Sequence, residues 1–328
     1  MSNQNQIYIG KNEAHFHENE VSGELIKIGE ENYYKISNVN EMRPFFMSIV
    51  SNSNHWMFIS SNGGLSAGRK DSNNSLFPYY TDDKITESSE ITGSKTIVKV
   101  HDNSKTYLWE PFSKKYEGAY KINRNLYKNN FGNKVIFEEI NHDLGLTFQY
   151  QWNSSDKFGF VKKSAVINNT DQIKKLIILD GIQNIVPYGV GEFLQNSSSN
   201  LVDAYKKCEL EAEVGIGIYA LSAIIVDKAE PSEALKSNIV WSSGVENPTY
   251  LLSSLQLDNF RKGKTVQQEV DIKAEKGAYF SCSEISLNPN SKKNWMLIAN
   301  GNQSISDIIS ISEKIKNDSD FIKEVEAD

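Results

Sequence analysis

The heptapeptide Leu146-Thr147-Phe148-Gln149-Tyr150-Gln151-Trp152 decides how this chain folds. Large apolar residues occupy Leu146, Phe148, Tyr150 and Trp152, while Thr147, Gln149 and Gln151 fill the positions between them. Successive side chains of a β-strand point to opposite faces, so a period of two puts the apolar set on one side and the polar set on the other. The reading is a half-buried antiparallel strand. Immediately upstream, "KVIFEEI" (134–140) has strand composition, and "NHDLG" (Asn141 to Gly145) is the loop joining the two. The same pattern recurs in "NYYKIS", "HWMFIS", "TIVKVH", "KLIILDGI", "IVWSSG" and "WMLIA", most of them separated by Asn, Asp, Gly or Ser. So many strands with so few helical stretches predict two packed sheets, an all-β sandwich. No repeat of 20 to 50 residues is visible, which disfavours a propeller.

The period changes only near the end. In "NQSISDIISISEKIKNDSDF", Ile305, Ile308, Ile309 and Ile315 fall on one helical face. Ser304 with Asp307 three residues later makes a start resembling a capping box. Ser319 is positioned to open another helix in "SDFIKEVEAD".

At 328 residues with 39% hydrophobic and 11% aromatic content, the chain can bury a sizeable core. A formal net charge of −7 argues against a nucleic-acid binder, which needs a basic surface to displace counterions. No basic segment followed by an apolar core opens the chain, and no apolar run nears the roughly 18 residues of a membrane span. The expectation is a cytoplasmic protein without a membrane partner. Cys208 and Cys282 are the two cysteines, and neither lies in a metal-binding spacing, so both read as buried small hydrophobes.

The glycine-rich stretch "SSNGGLSAGRK" (Ser60 to Lys70) admits three readings. A phosphate cradle needs G-x-x-x-x-G-K-[ST] followed by a helix, but Arg69, Lys70 and Asp71 follow Gly68 and turn residues come next. A turn or bulge would use the glycines to reach positive φ. A sugar-facing edge would offer Trp56, Arg69, Tyr79 and Tyr80 as flat rings and hydrogen-bonding groups. The alternation of Trp56 and Phe58 with His55 and Met57 reads Trp56 as a core-facing ring. His15 and His17 share a strand face, but no third ligand can be assigned, so no metal site is expected. Glu138 and Glu139 are strand neighbours pointing to opposite faces and cannot both meet one substrate, while Asp82 and Asp83 read as turn residues. No Ser-His-Asp order and no G-x-S-x-G elbow occurs. No catalytic residue is assigned.

Several segments carry a resemblance. "RPFFMSIVSNSNHWMFISSNGGLSAGRKDSNNSLFPYYTDD" places Arg43-Pro44 before a pair of strands, then a small-residue segment, then Pro78-Tyr79. "KVIFEEINHDLGLTFQYQWNSSDKFGFVKKSAVINNTDQIKKLIIL" carries an Asn168-Asn169-Thr170 turn before an apolar strand, and "WMLIANGNQSISDIISISEKI" follows late in the chain. In this order they resemble the N-terminal β-sandwich of the glycoside hydrolase family 94 phosphorylases, formerly glycosyltransferase family 36, which include cellobiose, chitobiose and β-oligoglucan phosphorylases. The small-residue segment ends in Ala67-Gly68-Arg69 instead of the family's Tyr or Trp. The resemblance implies a galactose-mutarotase-like two-layer antiparallel super-sandwich over residues 1–302, and over 303–328 the start of a helical linker toward an (α/α)6 barrel that this chain lacks. It implies a non-catalytic domain of an inverting phosphorylase acting on a β-linked glucan or oligosaccharide, and a homodimer. Inorganic phosphate would be the co-substrate and no cofactor is required. Two other functions fit the same sequence: a freestanding carbohydrate-binding module, and an aldose epimerase, which needs a His pair and a Glu converging in a concave sheet.

Overall fold

We analysed a computed structural model that describes residues 6–16, 19–225 and 233–328. Every strand pairing among them is antiparallel. The strand read from the heptapeptide runs Leu146–Ser155 and pairs with Val135–Asn141 on one side and Gly159–Asn168 on the other. These lie inside an eleven-stranded sheet. It continues through Lys292–Ser304 and Lys236–Ser243 in one direction, and through Ile122–Asn129 and Glu31–Ser37 to the edge strand Ser22–Ile28 in the other.

Leu146, Phe148, Tyr150 and Trp152 are all buried, as the period of two demands. They face a second layer shared by two sheets. A five-stranded sheet centres on Lys174–Ile185, flanked by Gly93–Asp102 and Gly277–Leu287. A four-stranded sheet holds Phe46–Ile49, His55–Ser60, Leu65–Arg69 and Ser75–Phe77. One apolar core joins all three sheets, with Met57, Ile59, Ile178 and Ile182 packed against the aromatic residues of the large sheet. Within it Phe137 stacks on Tyr150 at 4.7 Å and Phe77 meets Trp152 edge-on at 6.3 Å. The expected two-layer antiparallel super-sandwich is therefore the architecture, one layer being divided between two sheets. No helix of the described residues is long and apolar enough to cross a membrane.

One charge sits at the centre. In "KLIILDGI" the apolar alternation of the middle strand is broken by Asp180, which is 2% exposed. Its carboxylate accepts hydrogen bonds from Thr96 Oγ1 at 2.6 Å on its own sheet. From the opposing sheet it accepts from Lys162 Nζ at 2.6 Å, Ser164 Oγ at 2.9 Å and Trp295 Nε1 at 2.7 Å. A buried carboxylate is tolerable only when paired and hydrogen-bonded, and here four donors converge on it.

The last strand runs to Ser304, and the expected helix follows as Ile305–Asn317. Its capping box is present: Ser304 and Asp307 exchange side-chain and backbone hydrogen bonds. A second helix, Phe321–Ala327, is preceded by Asp320 rather than opened by Ser319. The helices lie back on the outer face of the large sheet, where Phe321 stacks on Trp241 at 5.3 Å. The expected apolar face needs correction. Ile308 is buried and Ile311 and Ile315 pack beside it, but Ile305 and Ile309 are exposed. The reason is geometric: a helix lying on a flat sheet buries a stripe only one side chain wide, here at a spacing of three and four.

This arrangement predicts a sharp contrast between neighbours on one helix. Ile308→Asp should lower unfolding free energy by about 2–4 kcal/mol, because an unpaired carboxylate would be desolvated. Ile305→Asp, at a position 67% exposed, should stay within about 0.5 kcal/mol of the parent in the same urea titration.

Candidate functional site

Alternate residues of a strand face opposite ways, so each inward-facing core residue of the large sheet has outward neighbours. The terminal helices cover the outer face over Trp241, Ile298 and Val161. Beside them that face forms a groove of about 800 Å³. Gln149 and Gln151 contribute to its floor from the heptapeptide, Lys163 and Ala165 from the next strand, and Asn294 and Met296 from the one after. Ile26 and Ile28 on the edge strand form one wall, and Ile322 and Glu326 on the last helix form the other. The floor thus alternates amide and ammonium donors with aliphatic surface.

Beside it lies Glu138, the outward member of the Glu138–Glu139 pair, only 8% exposed. Its carboxylate accepts from Asn125 Nδ2 and Tyr127 OH at 2.7 Å each, and from Gln149 Nε2. Burial, and then the hydrogen bond to Glu138, push the Tyr127 phenol up, so Tyr127 stays protonated as a donor. Because Glu138 engages the amide nitrogen of Gln149, the amide oxygen is left toward Lys292, whose Nζ is 3.5 Å away. Glu139 turns into the core, where it accepts from Trp109 Nε1, the Phe112 backbone N–H and Arg124 Nε, each at 2.7 Å. The two carboxylates do point to opposite faces. That both are buried and fully hydrogen-bonded was not readable from an adjacent acidic pair, because which residues of the neighbouring strands stand beside Glu138 depends on the pairing register, and Trp109 and Phe112 reach Glu139 from outside that hairpin.

None of Trp56, Arg69, Tyr79 and Tyr80 lines this groove. Trp56 and Tyr79 do come together, edge to face at 5.6 Å, on the outer side of the four-stranded sheet. This corrects the core-facing reading of Trp56: His55 and Met57 are buried, whereas the Trp56 ring is half-buried on the opposite face. The guanidinium of Arg69 donates to Asn54 Oδ1 and Asn300 Oδ1, both at 2.9 Å, bridging the four-stranded and eleven-stranded sheets. Tyr80 lies beside Lys84, and burial raises its phenol pKa. The glycine-rich stretch is a hairpin turn joining His55–Ser60 to Leu65–Arg69, with Gly63 at φ +92°. Asp82 and Asp83 open a short helix, Asp82–Glu87, rather than forming a turn.

The histidines among the described residues do not converge. His55 is buried with Nδ1 2.5 Å from Ser53 Oγ. His101 faces Thr106 on the five-stranded sheet, and His142 bonds Asn123. His15 borders a separate depression of about 470 Å³ near the N-terminal hairpin, and His17 lies outside the described residues. No histidine among the described residues lines the groove.

No family model matches the chain, and no curated protein matches it. It is similar to an aldose epimerase homologue from C. elegans at 10% identity and TM-score 0.43, over 80% of this chain and 100% of the other. A galactose mutarotase-like protein from Clostridium acetobutylicum aligns at 8% identity and TM-score 0.41, over 86% and 99%. A polysaccharide lyase aligns at 10% identity and TM-score 0.40 over 83% of this chain, which spans only 34% of the lyase. Likenesses at this level carry neither a substrate nor a site residue to this chain.

His55 gives a pH prediction. Burial, with Arg69 nearby, lowers its pKa to about 4, against 6.5 for an unperturbed imidazole. Between these values the unfolded chain binds a proton that the folded one does not, so stability falls as pH drops through that window. From pH 7 to pH 5 the parent should lose about 2 kcal/mol more than a His55→Gln variant in urea unfolding. Equal losses would show that His55 titrates normally in the fold.

Proposed function

We propose that this domain binds an oligosaccharide in the groove of its large sheet, as the N-terminal sandwich of a carbohydrate-active enzyme. The observation that carries the reading is the groove floor. Gln151 and Asn294 offer hydrogen-bonding groups, beside Gln149 held by Glu138 and Lys163 paired with Glu326 at 3.3 Å, between the aliphatic surfaces of Ile136, Ala165 and Met296. A pyranose presents hydroxyls around its rim and C–H groups on its faces, and this alternation suits both. Glu138 holds the amide of Gln149 in one orientation, so part of the ordering cost is met before the ligand arrives.

The resemblance to family 94 supports a finer proposal: the whole enzyme is an inverting phosphorylase of β-linked glucans. Inorganic phosphate would then attack the anomeric carbon while a carboxylic acid protonates the leaving oxygen. That chemistry belongs to an (α/α)6 barrel, so the sandwich supplies binding and support, and no cofactor enters. The enzyme would work in the cytoplasm as a homodimer.

Calorimetric titration with a β-linked gluco-oligosaccharide such as cellopentaose tests the binding role. We expect a dissociation constant between micromolar and millimolar. Gln151→Ala should weaken it about 5- to 10-fold, as expected for one hydrogen bond of about 1–1.5 kcal/mol. The domain alone, given phosphate and the same sugar, should release no glucose 1-phosphate. Unchanged affinity in Gln151→Ala would refute the groove as the site, and release of glucose 1-phosphate would refute the assignment of chemistry to a barrel.

A further inference from the structure

A second surface lies on a different sheet. Four aromatic rings run across the outer face of the four-stranded sheet. Phe46 and Phe58 are stacked at 5.7 Å, Phe58 and Trp56 are tilted at 6.0 Å, and Trp56 meets Tyr79 at 5.6 Å. Phe46 is 40% exposed and the other three rings are half-buried. Trp56 stands apart from the other tryptophans: Trp109, Trp152, Trp241 and Trp295 are all buried. Its cross-strand partner is Gly68, where a Cβ would come within 2.6 Å of the indole Cζ2. The glycine therefore leaves room for the indole beside its own strand, and the ring stays partly exposed. At this end Trp56 Nε1 donates to the Asp71 carbonyl at 3.2 Å, and Asp71, Ser72 and Asn73 form a polar rim.

We infer that this aromatic row is a glycan-binding surface, separate from the groove, that takes an uncharged sugar chain. Flat rings with an open face suit the C–H side of a pyranose. Charge selects the occupant. The outward aromatic and polar side chains Phe46, Ser48, Trp56 and Phe58 of the strands Phe46–Ile49 and His55–Ser60 carry no charge. Arg69, the nearest cation in these strands, pairs opposite His55 and is turned to Asn54 and Asn300. A nucleic-acid strand or an acidic glycan needs cations along its path as well as rings, and the outward side chains of these strands supply none: Lys128 Nζ meets the Ser48 carbonyl at 2.8 Å at one edge, and Lys70 and Asp71 stand at the Trp56 end. A neutral glycan can lie along the rings without engaging these flanking charges. The inference rests on the rings and not on the groove.

Trp56 is the most exposed tryptophan, but Trp295 borders the groove, so intrinsic fluorescence reads this surface most directly once Gln151→Ala has weakened binding there. Cellohexaose should change the tryptophan emission saturably in the parent and in Gln151→Ala, whose substitution lies in the groove. Trp56→Ala should abolish the signal. Phe46→Ala, at the most exposed ring and placed in the Gln151→Ala background so that the groove contributes little, should weaken binding at least about 5-fold in calorimetry while melting like its parent, which covers the case in which Trp56→Ala folds poorly. Heparin should produce no change. An unchanged emission at saturating cellohexaose, undiminished affinity in Phe46→Ala, or a stronger response to heparin would each overturn the inference. Loss of binding in Gln151→Ala together with indifference to the ring variants would leave the groove standing alone.

Discussion

The carboxylate of Asp180 is the point on which the two layers agree. It stands on the middle strand of the five-stranded sheet and is held by Lys162, Ser164 and Trp295 of the large sheet. Lys162 is fully buried, so neither charge has water to fall back on. Apolar packing alone is tolerant of small slides between sheets, whereas four hydrogen bonds to one carboxylate are not. The clamp also reaches the candidate site through the pleat. Lys162 and Ser164 point inward, so their neighbours Lys163 and Ala165 point outward into the groove. Trp295 does the same for Asn294 and Met296. The residues Asp180 grips are thus interleaved with those that make the groove floor.

Other buried charges repeat this design at the margins. Glu110 is fully enclosed, yet hydrogen bonds and attraction from Arg261 and Lys95 outweigh burial and keep it ionised. Through Arg261 it ties the short helix Leu257–Arg261 over the outer face of the five-stranded sheet, where Leu257 and Phe260 cover Leu179 and Phe280. Glu269 accepts the backbone N–H groups of Leu252 and Ser253 and so fastens the loop leading to that helix. The outer face of the large sheet, by contrast, is covered only where the terminal helices reach. On the remaining strands Asn125, Tyr127 and Glu138 are buried in their own network, and the groove beside them exposes Gln151, Lys163 and Asn294.

Much of the fold was legible because a strand's period of two survives any tertiary context. Leu146, Phe148, Tyr150 and Trp152 declare their face, and the capping box at Ser304 declares a helix start from three residues. Trp56 was misassigned because alternation gives two faces without saying which is inward; His55, the more polar neighbour, proved to be the buried one. The groove was not legible. Glu138, Asn125 and Gln149 meet on three consecutive strands, but the groove floor also needs Asn294 and Met296 beside Lys163 and Ala165, and that pairing of strands far apart in sequence is not written in any local pattern. The Asp180 clamp left one trace, a lone acid inside the apolar run "KLIILDGI", which sequence alone cannot tell from a surface residue.

The most direct test of this account is a double-mutant cycle on Lys162 and Asp180, read by denaturant unfolding. Lys162→Met and Asp180→Asn should each cost about 3–5 kcal/mol, because each leaves its partner without its counter-group in the core. The double variant should cost far less than the sum, with a coupling energy of at least about 2 kcal/mol. Additive losses, or single variants as stable as the parent, would contradict the claim that this pair holds the two layers in register.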